Sequence, residues 1–140
     1  MRLLIVTQTV DQNDPVLGFF HRWIEEFARH CESVEVVCLY KGTYTLPSNV
    51  RVYSLGKEKG RQHPFVYAFR FLSHVWRRRR AYDRVMVHMN PEYVLLAGVL
   101  WNMLGKRTML WYTHKRVDMK LRIATALVSK VCTASTESFR

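Results

Sequence analysis

The stretch DRVMVHMNPEYVLLAGVLWNMLGKRTMLWYT, Asp83 to Thr113, decides the fold. Asp83–Met89 is a short run rich in Val and Met, with the length and composition of a buried strand. Asn90-Pro91-Glu92 then supplies a cap residue, a proline at the first helical position and an acid in the first turn. The helix it opens, Pro91–Leu104, is apolar almost all round and is expected to be deeply buried. Gly105 ends it, and Arg107–Thr113 reads as the next strand. Strand, helix and strand within roughly thirty residues make a βαβ unit, whose two strands run parallel through a right-handed crossover.

The same alternation extends in both directions. Arg2–Thr7 reads as a buried strand, followed by a polar loop, Gln8–Leu17, with Asp11, Asn13, Asp14 and Pro15 as turn chemistry. Phe20, Trp23, Ile24, Phe27, Ala28 and Cys31 recur at helical spacing. Val34–Tyr40 and Val50–Leu55 read as two further strands. Lys57–Pro64 is polar and flexible. From Pro64 a helix is predicted to bury Phe65, Ala68, Phe69, Leu72 and Trp76, and to end in Arg77-Arg78-Arg79-Arg80, where cations suit the negative end of the dipole. Asp118 caps a helix to Leu127, and Val128–Ala134 is a last strand. This order predicts an α/β fold: a Rossmann-like, doubly wound, mostly parallel sheet of about six strands with helices on both faces.

Composition sets bounds. The chain has 140 residues, 49% of them apolar and 24% charged, which fits one globular domain and excludes a disordered or fibrous chain. Its longest apolar-or-glycine run, Tyr93 to Trp101, is far short of the roughly 20 residues of a membrane span. The amino terminus lacks the pattern of a signal peptide, so a cytoplasmic location is expected. Cys31, Cys38 and Cys132 are odd in number and lack CxxC spacing, which suits a reducing compartment and argues against disulfides or zinc. The net charge of +11 is uneven: residues 1–56 carry 5 basic and 6 acidic groups, residues 57–140 carry 17 and 5. Such asymmetry points to an anionic partner. The last residues, Thr133 to Arg140, read as a strand end followed by Ser/Thr capping and the start of a helix, so the chain is expected to be a fragment of a longer polypeptide.

Ligands of parallel sheets bind outside the carboxyl ends of the strands, where strand order reverses. The loops after the first, fourth and fifth strands are expected to converge there. They bring Gly18, whose N–H can approach an anion at a helix start, with His88, Asn90 and Glu92, and His114. No GxGxxG or GxxxxGK[ST] motif occurs, which argues against a standard dinucleotide site and excludes a Walker-type loop. No metal-ligand spacing and no nucleophile elbow occur either. On the Pro64 helix, Tyr67, Phe71, His74 and Arg78 form a second stripe, read as lying outside the core. With Arg70, Arg77, Arg79 and Arg80 it makes an aromatic and cationic face suited to anionic lipid. Nucleic acid is not expected as a partner, because no helix-turn-helix, RNP or zinc pattern accompanies the basic residues.

In this succession the chain resembles the amino-terminal domain of GT-B fold glycosyltransferases of glycosyltransferase family 4. The residues that carry the resemblance are Met1–Thr7, the loop ending in Gly18 with His21 and Trp23 after it, Val34–Cys38, Tyr82–His88, Leu110–His114 and Val131–Ser135. The resemblance covers nearly the whole chain, through short motifs whose specificity lies in their order. It implies a retaining sugar transferase, working without a bound metal or other cofactor, that uses a nucleotide-sugar donor and a glycan or lipid-linked acceptor. It implies that Gly18 lies at the donor phosphates, that His114 contacts the donor sugar and the reacting centre, and that the protein docks peripherally on the inner face of the plasma membrane. Two features depart from the family. Gly18 is followed by Phe19 rather than a second glycine. The carboxy-terminal donor-binding domain, with its paired glutamates, is absent, so the 140 residues alone are expected to be inactive. The alternative from another class is a non-catalytic basic module that binds anionic membrane or polyanion. A nucleotide-binding enzyme of another Rossmann type is a third reading, weakened by the missing glycine fingerprint.

Overall fold

The computed structural model describes residues 1–113 and 118–133. The elements are β1 (Arg2–Val10), α1 (Gly18–His30), β2 (Ser33–Lys41), β3 (Val50–Ser54), a 3-10 turn (Lys57–Lys59), α2 (Pro64–Arg77), β4 (Arg84–His88), α3 (Pro91–Met103), β5 (Arg107–Trp111), α4 (Met119–Leu127) and β6 (Lys130–Cys132). The six strands form one sheet in the order β3-β2-β1-β4-β5-β6, with every pairing parallel. This is the Rossmann-like, doubly wound α/β architecture expected from the sequence. Among the described residues no helix is long and apolar enough to cross a membrane.

Two cores follow from the alternation of strand side chains. On one face, Leu4, Val6, Val85, Val87 and Leu110 pack under Phe71 and Val75 of α2, Trp101 of α3 and Leu121 of α4. On the other, Leu3, Ile5, Val36 and Met86 pack under Phe20, Ile24 and Ala28 of α1. A buried polar chain locks the first core. Trp101 Nε1 donates to the Tyr82 hydroxyl at 3.1 Å, and that hydroxyl donates to the Val75 carbonyl at 3.1 Å. Burial raises the Tyr82 pKa to about 12, so the phenol stays protonated and keeps its donor.

Several local signals act as expected. Pro64 stands at the start of α2, with the His63 ring accepting from Phe65 N. The Asp118 carboxylate accepts from Leu121 N at the start of α4. Gly105 takes φ +71° at the end of α3, where a side chain would be strained. Asn90 does not cap α3 with its side chain, which is turned elsewhere. β1 runs three residues beyond Thr7 because Thr9 and Val10 continue the ladder against Tyr40 and Lys41 of β2.

Two expectations are corrected. Helix α3 is not buried all round: Leu96, Val99 and Met103 are exposed. Helix α2 is turned over relative to the predicted stripe. Phe65 and Phe69 are 79% and 74% exposed and Trp76 is half exposed, whereas Phe71 and Val75 are fully buried. The side expected to lie outside the core is the side that faces the sheet. The reason is electrostatic. Glu35 of β2 points from the sheet into the α2 interface, only 4% exposed. Arg78, just past α2, bonds to its Oε1, and His74 Nε2 stands 3.7 Å from its Oε2. Burial alone would raise the Glu35 pKa, but the neighbouring His74 and Arg78 outweigh it and hold the carboxyl below its ordinary value. A buried carboxylate left without its cation is strongly destabilising, so the helix must present Arg78 inward.

Phe71→Ala is expected to lower unfolding free energy by about 3–5 kcal/mol. Phe69→Ala is expected to change it by no more than about 0.5 kcal/mol. Urea unfolding of the two variants checks this, and equal losses would contradict the orientation of α2.

Candidate functional site

The strand order reverses beside β1, and a crevice opens there at the carboxyl ends of β1, β4 and β5. It is a cleft of about 500 Å³ lined by residues that include Gln8, Phe19, Trp23, His88, Asn90 and Trp111. The expected convergence of the loops after these three strands is therefore observed. Phe19, Trp23 and Trp111 contribute aromatic rings to its walls. Trp23 and Trp111 meet edge to face with ring centres 5.1 Å apart, and Phe19 packs edge-on to Trp23 at 5.7 Å.

His88 is the buried polar group of this cleft. It ends β4 and is 1% exposed. Its Nδ1 lies 3.1 Å from Thr7 Oγ1 of β1. Its ring stacks on Phe20 with centres 3.9 Å apart. Burial pushes its pKa down to about 4, so the imidazole is neutral at neutral pH. With Nδ1 engaged by Thr7, Nε2 is the ring atom left to exchange a hydrogen bond with a ligand.

The turn after His88 is unusual. Met89 adopts φ +66°, a left-handed conformation rare for a side chain of this kind. Asn90 N donates to His88 O at 2.9 Å across it, and Met89 N donates to Trp111 O at 2.8 Å. The turn sends the Asn90 amide back across the cleft, where Nδ2 donates to Gln8 Oε1 at 3.3 Å. Strain held at a ligand crevice is a common mark of function. Nothing in the local sequence announces it, since methionine is not a residue that favours this conformation.

The other predicted residues are placed as follows. Gly18 opens α1, but its N–H donates to Asp14 O at 3.0 Å, and the Asp14 carboxylate accepts from Val16 N and Leu17 N. A Cβ at Gly18 would stand 3.1 Å from Gln12 O, a tight contact with the loop backbone. Glu92 is exposed, does not line the cleft, and lies 4.0 Å from Lys120 of α4. His114 lies outside the described residues, immediately after the cleft residue Thr113. Of the five arginines, Arg78 is the partner of Glu35 rather than a free surface cation. Arg70 Nη1 donates to Leu55 O at 2.7 Å, and the Arg79 guanidinium lies over the Trp76 ring. Arg77 and Arg80 are exposed. The described residues hold no group of three or more potential metal ligands.

Sheet and crevice define a Rossmann-like domain with a cleft at its switch point. Comparison with known proteins refines the fold. No protein-family model matches the sequence, and no curated protein matches it. Among solved structures, MurG of Acinetobacter baumannii is similar over 99% of this chain, with a TM-score of 0.63 and 11% identity. The match takes in 42% of the MurG chain, so this chain spans less than half its length. A protein of unknown function from Vibrio parahaemolyticus, VPA0982, gives a TM-score of 0.43 at 7% identity over 98% of this chain and 94% of that one, too loose to carry weight. The likeness to MurG establishes a GT-B-like, Rossmann-type fold.

The proton balance of His88 gives a test. The ordinary imidazole takes its proton near pH 6.5 and the folded one near pH 4. The unfolded state therefore binds more protons in between, and stability is complete above pH 6.5 and falls as pH drops toward 4. Proton NMR is expected to show the His88 ring titrating below pH 5, with His88→Gln removing roughly 3 kcal/mol of acid-dependent destabilisation. A midpoint near 6.5 would mean that the ring is open to water.

Proposed function

We propose that this chain is the acceptor-side domain of a retaining glycosyltransferase that moves a sugar from a nucleotide-sugar donor to a glycan or lipid-linked acceptor. A carboxy-terminal donor-binding domain, absent from these 140 residues, completes the enzyme in this reading. The observation that carries it is the fold likeness to MurG, a GT-B glycosyltransferase, across 99% of this chain. The cleft supports it. Aromatic walls with a few convergent polar groups suit an acceptor that is itself partly apolar. The neutral imidazole of His88 is available to orient an acceptor hydroxyl. In this reading Asn90 lines the acceptor side, and His114 stabilises the reacting centre through an oriented donor, with no metal or other cofactor required. Gly18 stays the candidate for approach to the donor phosphates, although its loop donors already have internal partners.

Where this chain is joined to its donor domain, His114→Ala is expected to lower sugar transfer about 10²- to 10³-fold. Transfer of a labelled sugar measures this, and unchanged turnover would remove His114 from the reaction. The isolated chain is expected to bind acceptor without transferring sugar. Tight binding of nucleoside diphosphates by the isolated chain would reverse the assignment of sides.

The same reading places the protein in the cytoplasm, docked on the inner face of the plasma membrane. The observation in its favour is the outer face of α2, where exposed Phe65, Phe69 and Trp76 stand beside Arg77, Arg79 and Arg80. Apolar rings that sink into the interface, flanked by cations, are the chemistry of an interfacial helix. Near an anionic leaflet one arginine is worth about 1 kcal/mol, so Arg77→Gln is expected to weaken vesicle binding about fivefold. Co-sedimentation with vesicles checks it, and equal binding to neutral and anionic vesicles would refute this docking mode. Vesicle binding without sugar transfer by the longer polypeptide would instead favour a non-catalytic basic module.

A further inference from the structure

Thr7 interrupts an apolar row. On the face of the sheet that α1 covers, β1 contributes Leu3 and Ile5 and β4 contributes Met86. Strand side chains alternate, so Thr7 and His88 are the next members of these two rows. The last paired residues of the two strands are Val6 and Val87, and Thr7 and His88 stand side by side one step further on. Valine has the same branched shape as threonine and suits a strand as well. The strand therefore has no need of a hydroxyl here, and a fully buried one is costly unless it is bonded. Its bond is the 3.1 Å contact with His88 Nδ1.

Hydrogen-bond accounting gives this contact a direction. A threonine hydroxyl carries one proton, and must donate it or remain a buried donor without a partner. Among the described residues the Thr7 hydroxyl has no hydrogen-bond partner other than His88. It therefore donates to Nδ1, which is the bare nitrogen of a neutral ring, and the ring proton sits on Nε2. Phe20 stacks on the ring with centres 3.9 Å apart, and a flipped ring would take Nδ1 away from the hydroxyl. Nε2 has no hydrogen-bond partner among the described residues, and the side chain lines the cleft. A histidine that serves as a base is commonly wired the opposite way. There Nδ1–H donates to a carboxylate or carbonyl, and Nε2 is bare.

We infer that Thr7 is a positioning residue that fixes His88 as a hydrogen-bond donor, with its Nε2–H offered to a ligand oxygen in the cleft. His88 then holds that oxygen by a lone pair and takes no proton from it. In the glycosyltransferase reading, on which this last step rests, the oxygen belongs to the acceptor hydroxyl, and His88 orients it without acting as its base.

The test reads the imidazole nitrogens of the isotope-labelled chain by long-range proton–nitrogen NMR correlation at neutral pH. The chain has 6 histidines, and the His88 ring is identified by its contacts with Phe20 and by the signals lost in His88→Gln. Its Nε2 is expected at the shift of a protonated nitrogen and its Nδ1 at that of a bare one. Thr7→Ser, which keeps the hydroxyl, is expected to keep this pattern. Thr7→Val, which keeps the shape, is expected to draw the two shifts together as the tautomers exchange. With the donor domain joined, Thr7→Val is expected to raise the acceptor KM about tenfold with kcat little changed, and Thr7→Ser to leave both near their original values. A proton on Nδ1 in the unaltered chain would overturn the assignment, even where Thr7→Val fails to fold. So would a folded Thr7→Val whose His88 spectrum matches that of the unaltered chain. These spectra need only the present chain, so they decide the role of Thr7 whether or not the joined polypeptide transfers sugar.

Discussion

The pairing of β1 with β4 is the constraint on which the molecule depends. The register from Leu3 with Arg84 to Val6 with Val87 gives β1 a neighbour on each side and removes Leu4, Ile5 and Val6 from water entirely. It also makes the strand order reverse. The chain leaves β1 toward β2 on one side and returns to β4 on the other, and the connections part above the sheet. The crevice is the gap they leave. The same pairing sets Thr7 beside His88, so one piece of backbone geometry builds the core and orients the cleft histidine.

The order of elements was legible because each depends on local chemistry. Asn90-Pro91, His63-Pro64, Asp118 and Gly105 mark helix ends in ways that a few neighbouring residues dictate. The orientation of α2 was not legible. That helix carries aromatic residues on two sides, Phe65, Phe69 and Trp76 on one and Tyr67 and Phe71 on the other. Spacing and bulk do not choose between them. Glu35 chooses, through Arg78, across 43 positions of sequence, and no window of local periodicity contains that pair. The exposed side of α3 was missed for a related reason: an apolar composition states what a helix tolerates, not how much of it the fold covers.

The candidate site divides in the same way. That His88 sits at a strand end facing the crevice follows from the alternation of elements. That it is stacked on Phe20, bonded to Thr7 and kept neutral by burial requires residues far apart in the chain. The left-handed Met89 had no sequence cue, since its conformation is imposed by bonds to Trp111 and across the turn. The arginine run looked uniform as text. In three dimensions it separates into a structural member, Arg78, and members that face outward, so counting cations overstates the charge offered to a partner.

The topology also has a consequence for how the chain acquires its structure during synthesis. β1 emerges first and can pair early with β2, which β3 flanks on its other side, because those strands follow closely. Its second neighbour, β4, begins only at Arg84. Until then the strand destined for the centre of the sheet presents an open apolar edge, the kind of surface that seeds association between nascent chains. Joining first to fourth strand is a long-range closure, and such closures slow folding. The interval before β4 becomes available is thus the one in which β1 lacks its second neighbour, and β4 is the element whose arrival ends it.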